Sequence, residues 1–397
     1  MKQTLLSILM LGLALSAGAQ TTVTTVANGN ATNPATWDCL CIPADGDSII
    51  INHALVLDAD FALTSGAIIV NPAGSVTGNV NNRILAIGGG GFRNDGTFTL
   101  AYIYHSGGSF YNNNVLTATR NLGVDVSAQA VNNGTMNVND TLLINTNASI
   151  INTGSMIVPE IGCAGGFVNS GSVLCDNLAN TGVYNNNLGS TNVAMTVFNV
   201  GTVTNNTPMV IGGDFYNTEN VTNNSFISCS SLYNGDTVAQ TAVFTNNGTI
   251  SVSADFANSR TVNGTGHFCV AGTSTNAGAM NGTIDFCDLT GGTIDLNVGT
   301  VAGTVTFCST PCALGVDEQF ADNVNMYPNP VIDHLTVQLP GNTTSVVRIT
   351  NSLGQEVMVL STTESLVTLP LNMLASGVYS ISVQTGDRFV ASRFVKN

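Results

Sequence analysis

The stretches Asn132-Asn133-Gly134-Thr135-Met136, Asn152-Thr153-Gly154-Ser155-Met156 and Asn169-Ser170-Gly171-Ser172-Val173 decide the fold. Each reads Asn-x-Gly-small-hydrophobic. The phrase returns as Asn199-Val200-Gly201-Thr202-Val203, Asn246-Asn247-Gly248-Thr249-Ile250, Asn276-Ala277-Gly278-Ala279-Met280 and Asn297-Val298-Gly299-Thr300-Val301. Three of the six gaps between copies are 17 to 21 residues, and the longer ones read as degenerate copies. A period of about 20 residues marks a solenoid. Apolar residues alternate between copies, as in Met136, Val138 and then Leu142, Ile144, which is the period of strands. Asn and Gly tolerate the left-handed backbone that sharp corners use. One coil cannot bury its own inner face, whereas stacked coils can, with strands about 4.8 Å apart. The expectation is an all-β chain whose residues 20–314 form a right-handed parallel β-helix of about a dozen coils.

The last three rungs align best. Asn263-Gly264-Thr265-Gly266-His267-Phe268-Cys269, Asn281-Gly282-Thr283-Ile284-Asp285-Phe286-Cys287 and Ala302-Gly303-Thr304-Val305-Thr306-Phe307-Cys308 superpose. Alternation puts Ile284 with Phe286, and Val305 with Phe307, toward the core. It puts Cys269, Cys287 and Cys308 on the other face. With Cys312 they are candidates for a disulfide ladder, and half-buried free thiols are the other reading. Nine cysteines leave at least one thiol unpaired in a monomer. His267 sits two residues from Cys269, without the second pair a zinc site uses.

Charged residues make up only 8% of the chain and hydrophobic residues 44%, which argues for a packed core over disorder. The formal charge is −15. Between Gln20 and Val316 the cations are Arg83, Arg93, Arg120 and Arg260, with no Lys. No run of phosphates could be neutralised there, so nucleic acid is excluded as a partner. Lys2, the apolar stretch Leu5 to Leu15 and Ala17-Gly18-Ala19 read as a signal peptide over residues 1–19, with the mature chain starting at Gln20. That apolar run is too short to span a bilayer.

The C-terminal residues carry a different pattern. Met326-Tyr327-Pro328-Asn329-Pro330 is followed by alternating strands, by Asn351-Ser352-Leu353-Gly354-Gln355-Glu356-Val357, by Leu374-Ala375-Ser376-Gly377-Val378-Tyr379 and by Arg393-Phe394-Val395-Lys396-Asn397. This resembles the type A C-terminal sorting domain of the type IX secretion system of Bacteroidota. The matching positions are Tyr327, Pro328, Asn329, Pro330, Gly354, Gly377, Tyr379 and Lys396. The resemblance implies a small Ig-like β-sandwich over residues 325–397; before it, Pro311, Gly315 and the acids Asp317, Glu318 and Asp322 read as a linker at 315–324. It implies recognition by the type IX machinery and its sortase-like peptidase. It also implies delivery to the cell surface, by attachment to lipopolysaccharide, or release. The segment Ala35 to Pro43 is similar to the opening of Bacteroidota surface β-helix proteins, with Trp37 capping the open core.

Within the passenger, two functions compete. A polysaccharide lyase needs Lys or Arg, and a hydrolase needs two facing carboxylates. Asp45/Asp47, Asp58/Asp60 and Asp285/Asp288 are the close acid pairs, also readable as solvated turn acids. Calcium is a candidate cofactor at Asp45 and Asp47. His53, His105 and His267 lie far apart, without a nucleophile elbow. Phe98, Leu100, Tyr102 and Tyr104 share one strand face, with Tyr111 close by. They are either a core face, or Tyr102, Tyr104 and Tyr111 bind a ligand such as a glycan or a protein of a host or neighbouring cell. Few cations and a rod of Asn, Thr and Ser favour a non-catalytic adhesin or glycan-binding surface protein over the enzyme.

Overall fold

The computed structural model describes residues 21–125, 127–235, 241–310, 312, 325–339, 344–351, 355–385 and 388–397. The expected signal peptide with its cleavage site, the linker at 315–324 and Gly354 lie outside the described residues. The chain divides into two units, Met1–Pro311 and Cys312–Asn397. Among the described residues the helical content is one 3-10 turn, Pro34–Thr36.

The first unit is a parallel β-solenoid of about 13 turns. Its first face stacks 15 strands, from Thr22–Thr24 to Thr300–Val301. The second runs from Gly29–Asn30 to Thr306–Phe307, and the third from Phe61–Leu63 to Leu296–Asn297. Strands Ser155–Cys163, Ser172–Asn180 and Ser190–Asn199 bend round a corner and join the second and third faces. Alternation sends every second side chain inward, as in Ser149–Asn152, where Ile150 and Asn152 are buried. One apolar core therefore runs from Val23 and Trp37 to Val305.

The repeated asparagines are not corner residues with left-handed backbone. They point inward and form two ladders. Asn94, Asn112, Asn132, Asn152, Asn169, Asn186, Asn205, Asn223 and Asn246 close the strands of the first face, each Nδ2 donating to the Oδ1 of the next at 2.7–3.0 Å. Asn180, Asn199, Asn217, Asn234, Asn258, Asn276 and Asn297 do the same on the third face at 2.7–2.8 Å. Most of these amides also donate to backbone carbonyls at the corners. Asn152 Nδ2, for example, donates to Gly154 O and Ser172 O. Buried amides are tolerated because their hydrogen bonds are met within the protein. All the amides donate in one direction, so the first oxygen of each ladder, Asn94 Oδ1 or Asn180 Oδ1, is the one without a donor. The irregular gaps in the sequence follow from the two corners. The copies at 132, 152, 169 and 246 belong to the first ladder, and those at 199, 276 and 297 to the second.

The glycine of the phrase has a packing role. A Cβ on Gly154 would lie 2.0 Å from Gly134 O in the coil below. Only a residue without Cβ lets successive corners stack this closely. At the C-terminal end the register pairs Phe268 with Phe286 and Phe286 with Phe307. Ile284, Phe286 and Val305 are buried, but Phe307, in the last registered rung, is 38% exposed, contrary to its expected place in the core.

The second unit is a β-sandwich. Asn325–Tyr327, His334–Gln338 and Leu366–Pro370 form one antiparallel sheet. Glu356–Thr362, Ser345–Thr350, Gly377–Thr385 and Arg388–Lys396 form the other. Leu335, Val337 and Leu369 from the first sheet pack with Val347, Ile381 and Phe394 from the second.

Candidate functional site

The acid pairs turn out to be engaged by neighbouring donors. Asp45 accepts from Thr64 N, Thr64 Oγ1 and Ser65 N, and Asp47 from Ala44 N and Thr21 Oγ1. These bonds hold both carboxyls below the usual range, led by the Thr64 hydroxyl for Asp45 and by Ala44 N for Asp47. Both lie in a turn that precedes strand Ser48–Ile51, so their spacing of two does not set them on one face of a strand. Asp58 accepts from Thr32, while Asp60 accepts from Ile84 N and pairs with Arg83 at 3.4 Å. Asp285 accepts from Ser309 N, Thr310 N and Thr306 Oγ1, and Asp288 from Ser274 Oγ and Thr290.

The tyrosines are separated. The strand breaks at Ala101, so Phe98 and Leu100 are buried on the second face while Tyr102 and Tyr104 point outward on the third. Tyr111 is exposed on the first face, in strand Ser109–Asn112. Tyr102 and Tyr104 stay together, with ring centroids 6.3 Å apart and planes within 10°. Gly123, opposite Tyr104 on the next coil, leaves room for that ring; a Cβ there would come within 3.1 Å of it.

A second aromatic array on the third face escaped the sequence reading. Phe198, Tyr216 and Tyr233 occupy one register position on three successive coils. Tyr216 and Tyr233 stack with centroids 4.9 Å apart and planes within 11°. Phe198 lies 6.3 Å from Tyr216 and is 45% exposed. Tyr216 donates its hydroxyl to Asp214 Oδ2 at 3.1 Å. Burial, then this hydrogen bond and the charge of Asp214, push its phenol pKa up. The signal was available: each ring directly precedes a ladder asparagine, in Phe198-Asn199, Tyr216-Asn217 and Tyr233-Asn234. Once an asparagine is fixed inward, its predecessor must face out.

The cysteines divide by oxidation state. Cys39–Cys41 and Cys287–Cys308 are disulfides, the second joining neighbouring rungs, and Cys269 and Cys312 are also oxidised. Cys163, Cys175 and Cys229 are buried free thiols. Cys163 stands at the register position just before Asn180 and donates to Gly165 O and Val183 O, the role an asparagine plays further along. His267 Nε2 lies 2.9 Å from Cys269 Sγ, and His267 Nδ1 3.2 Å from Asp285 Oδ2. With Cys269 oxidised, this constellation holds no nucleophile. His105 is fully buried and bonded to Gln129 O; burial lowers its pKa.

In the second unit the tail motifs converge on the last strand. Asn329 accepts from Val395 N at 2.9 Å and donates to Arg393 O at 3.2 Å. Gly377 pairs with Lys396. Tyr379 stacks on Phe394 with centroids 5.6 Å apart and donates to Ala375 O. Asn329, 64 and 66 positions from its partners, thus helps hold the C-terminal strand in place, while Tyr327 is half exposed.

Residues 325–397 match the secretion system C-terminal sorting domain. The ulvan lyase NLR42 of Nonlabens ulvanivorans is 37% identical over 78 residues, 19% of this chain, and the chain spans only 15% of that lyase. A solved structure of PorZ, an essential surface component of the type-IX secretion system of Porphyromonas gingivalis, is 25% identical over 20% of this chain and 12% of PorZ, with a TM-score of 0.19. Among the described residues no helix is long and apolar enough to cross a membrane. Residues 325–397 are a type IX C-terminal sorting domain, and they mark the chain as cargo of that system, bound for the cell surface or the medium.

Proposed function

We propose that the solenoid is a non-catalytic, glycan-binding surface protein that binds through its third face. The registered stack of Phe198, Tyr216 and Tyr233 carries this reading. Phe198 is exposed and Tyr216 and Tyr233 partly so, and on a rigid sheet these rings offer an apolar ridge to the C–H faces of sugar rings. Asp214, beside Tyr216, and the surrounding Asn and Thr supply hydrogen-bond partners for hydroxyls. The platform needs no ordering on binding, because the sheet already fixes it. Exposed apolar surface of this kind marks interaction sites.

A carbohydrate-active enzyme is the second reading. It is favoured by Asp140, Glu160 and Asp176 on successive coils, with Glu160 bonded to Asn177 at 2.8 Å. Against it, Arg83 and Arg93 are paired with Asp60 and Asp95, leaving few cations to hold an acidic sugar.

Titration of the full chain with a glycan panel, beside Tyr216→Ala and Tyr233→Ala, tests the proposal. Each ring contributes about 1 kcal/mol beyond its area, so the double variant should bind at least tenfold more weakly. Unchanged affinity would remove the third face from the account.

A further inference from the structure

The core of the solenoid is not filled at its N-terminal end. A cavity of about 210 Å³ lies there, walled by Trp37, Ile51, Leu57, Phe61, Leu85 and Phe98. Its outer rim is formed by Ile42, Ala59 and Asp60. The third face begins only at Phe61–Leu63, so among the described residues the first coil lacks the strand that would close this side. The packing shows the gap: Leu57 is 8% and Ile68 6% exposed, whereas Leu116 and Leu142 in the middle of the rod are at 0%.

The polar groups nearby are already engaged. Trp37 Nε1 donates to Ala31 O at 2.9 Å. Thr32 bonds Asp58, and Asp60 accepts from Ile84 N and Arg83. The wall is therefore largely hydrocarbon, and none of its described residues holds a buried side-chain donor or acceptor without a partner. Water needs two or more polar partners to be held, and an apolar cavity of about 150 Å³ is enough to bind benzene. We infer that this cavity is a binding site for an uncharged hydrocarbon group, either an alkyl-substituted ring or a short alkyl tail. The ligand enters past Ala59 and displaces no ordered polar contact. The site is independent of the aromatic platform on the third face.

The test is ligand-observed NMR titration of the full chain with n-butylbenzene. Ala59→Trp plugs the exposed rim, and Leu57→Phe fills the interior, with far-UV circular dichroism confirming that each variant is folded. Wild type should show saturable binding, at least tenfold weaker in Ala59→Trp or Leu57→Phe, and unchanged in Tyr216→Ala. Absence of saturable binding to wild type, or binding undiminished in both cavity variants, would overturn the inference.

Discussion

Asn152→Ala should destabilise the solenoid by about 2–4 kcal/mol. Asn152 accepts from Asn132 at 2.7 Å and donates to Asn169 at 2.9 Å, to Ser172 O at 3.1 Å and to Gly154 O at 3.3 Å. Each buried hydrogen bond contributes about 0.5–1.5 kcal/mol net. The partners are not all stranded. Asn132 keeps Ser155 O and Gly134 O, and Asn169 Oδ1 keeps Gly171 N. That moderates the loss to the lower half of the four-bond sum. Asn133, its exposed neighbour, also bonds between coils, to Asn113 and Thr153. Water replaces those bonds, so Asn133→Ala should cost less than about 1 kcal/mol. Stability in a solenoid is close to a sum of neighbour terms. The assay is therefore urea unfolding of the two variants together with amide hydrogen exchange in the flanking coils. Equal losses within about 0.5 kcal/mol, or exchange unchanged around Asn152, would refute the view that the inner ladder holds the coils in register.

Three further outcomes follow from the same geometry. Gly154→Ala, whose Cβ would meet Gly134 O at 2.0 Å, should destabilise by about 1–3 kcal/mol, while Gly303→Ala, with nothing within 4 Å, should lie within about 0.5 kcal/mol of wild type; similar urea midpoints for the two would contradict the close-stacking argument. Burial pushes the thiols of Cys163, Cys175 and Cys229 up to about 12, so iodoacetamide at neutral pH should label them only after unfolding, and rapid labelling of the native chain would refute their assignment to the core. Burial alone would raise the Asp285 carboxyl, but hydrogen bonds from Ser309, Thr310 and Thr306 outweigh it and hold the group low. A depressed carboxyl stabilises the fold above its unfolded pKa of about 3.9 and loses that contribution as pH falls toward the folded value. Wild type should then exceed Asp285→Asn in stability at pH 7, with the margin starting to shrink below about pH 4 and closing only as the folded carboxyl takes up its proton, and a constant margin on acidification would be the contrary result.

Much of this was legible in the chain, for reasons that can be named. Stacked strands need alternation and a repeat of one coil, and Met136, Val138, Leu142 and Ile144 display both. The tail was legible because its motif residues are set by contacts within one small domain, as Asn329 and Tyr379 show. The asparagine phrase was seen, but its cause was not, since one motif serves two corners and an inward amide looks like a turn residue until its partners are known. Tyr102 and Tyr104 were placed correctly relative to each other but not relative to Phe98. One corner residue, Ala101, reverses the alternation, and no pattern of period two contains that break. The stack of Phe198, Tyr216 and Tyr233 spans three coils, so only the register brings it together.

The most direct measurement is binding of the full chain to a broad glycan panel with calcium present, with the length of every bound glycan determined afterwards. The account predicts saturable binding, glycans recovered intact, and loss of that binding in the Tyr216→Ala/Tyr233→Ala double variant. Shortened glycans would contradict it in favour of an enzyme and direct attention to Asp140, Glu160 and Asp176.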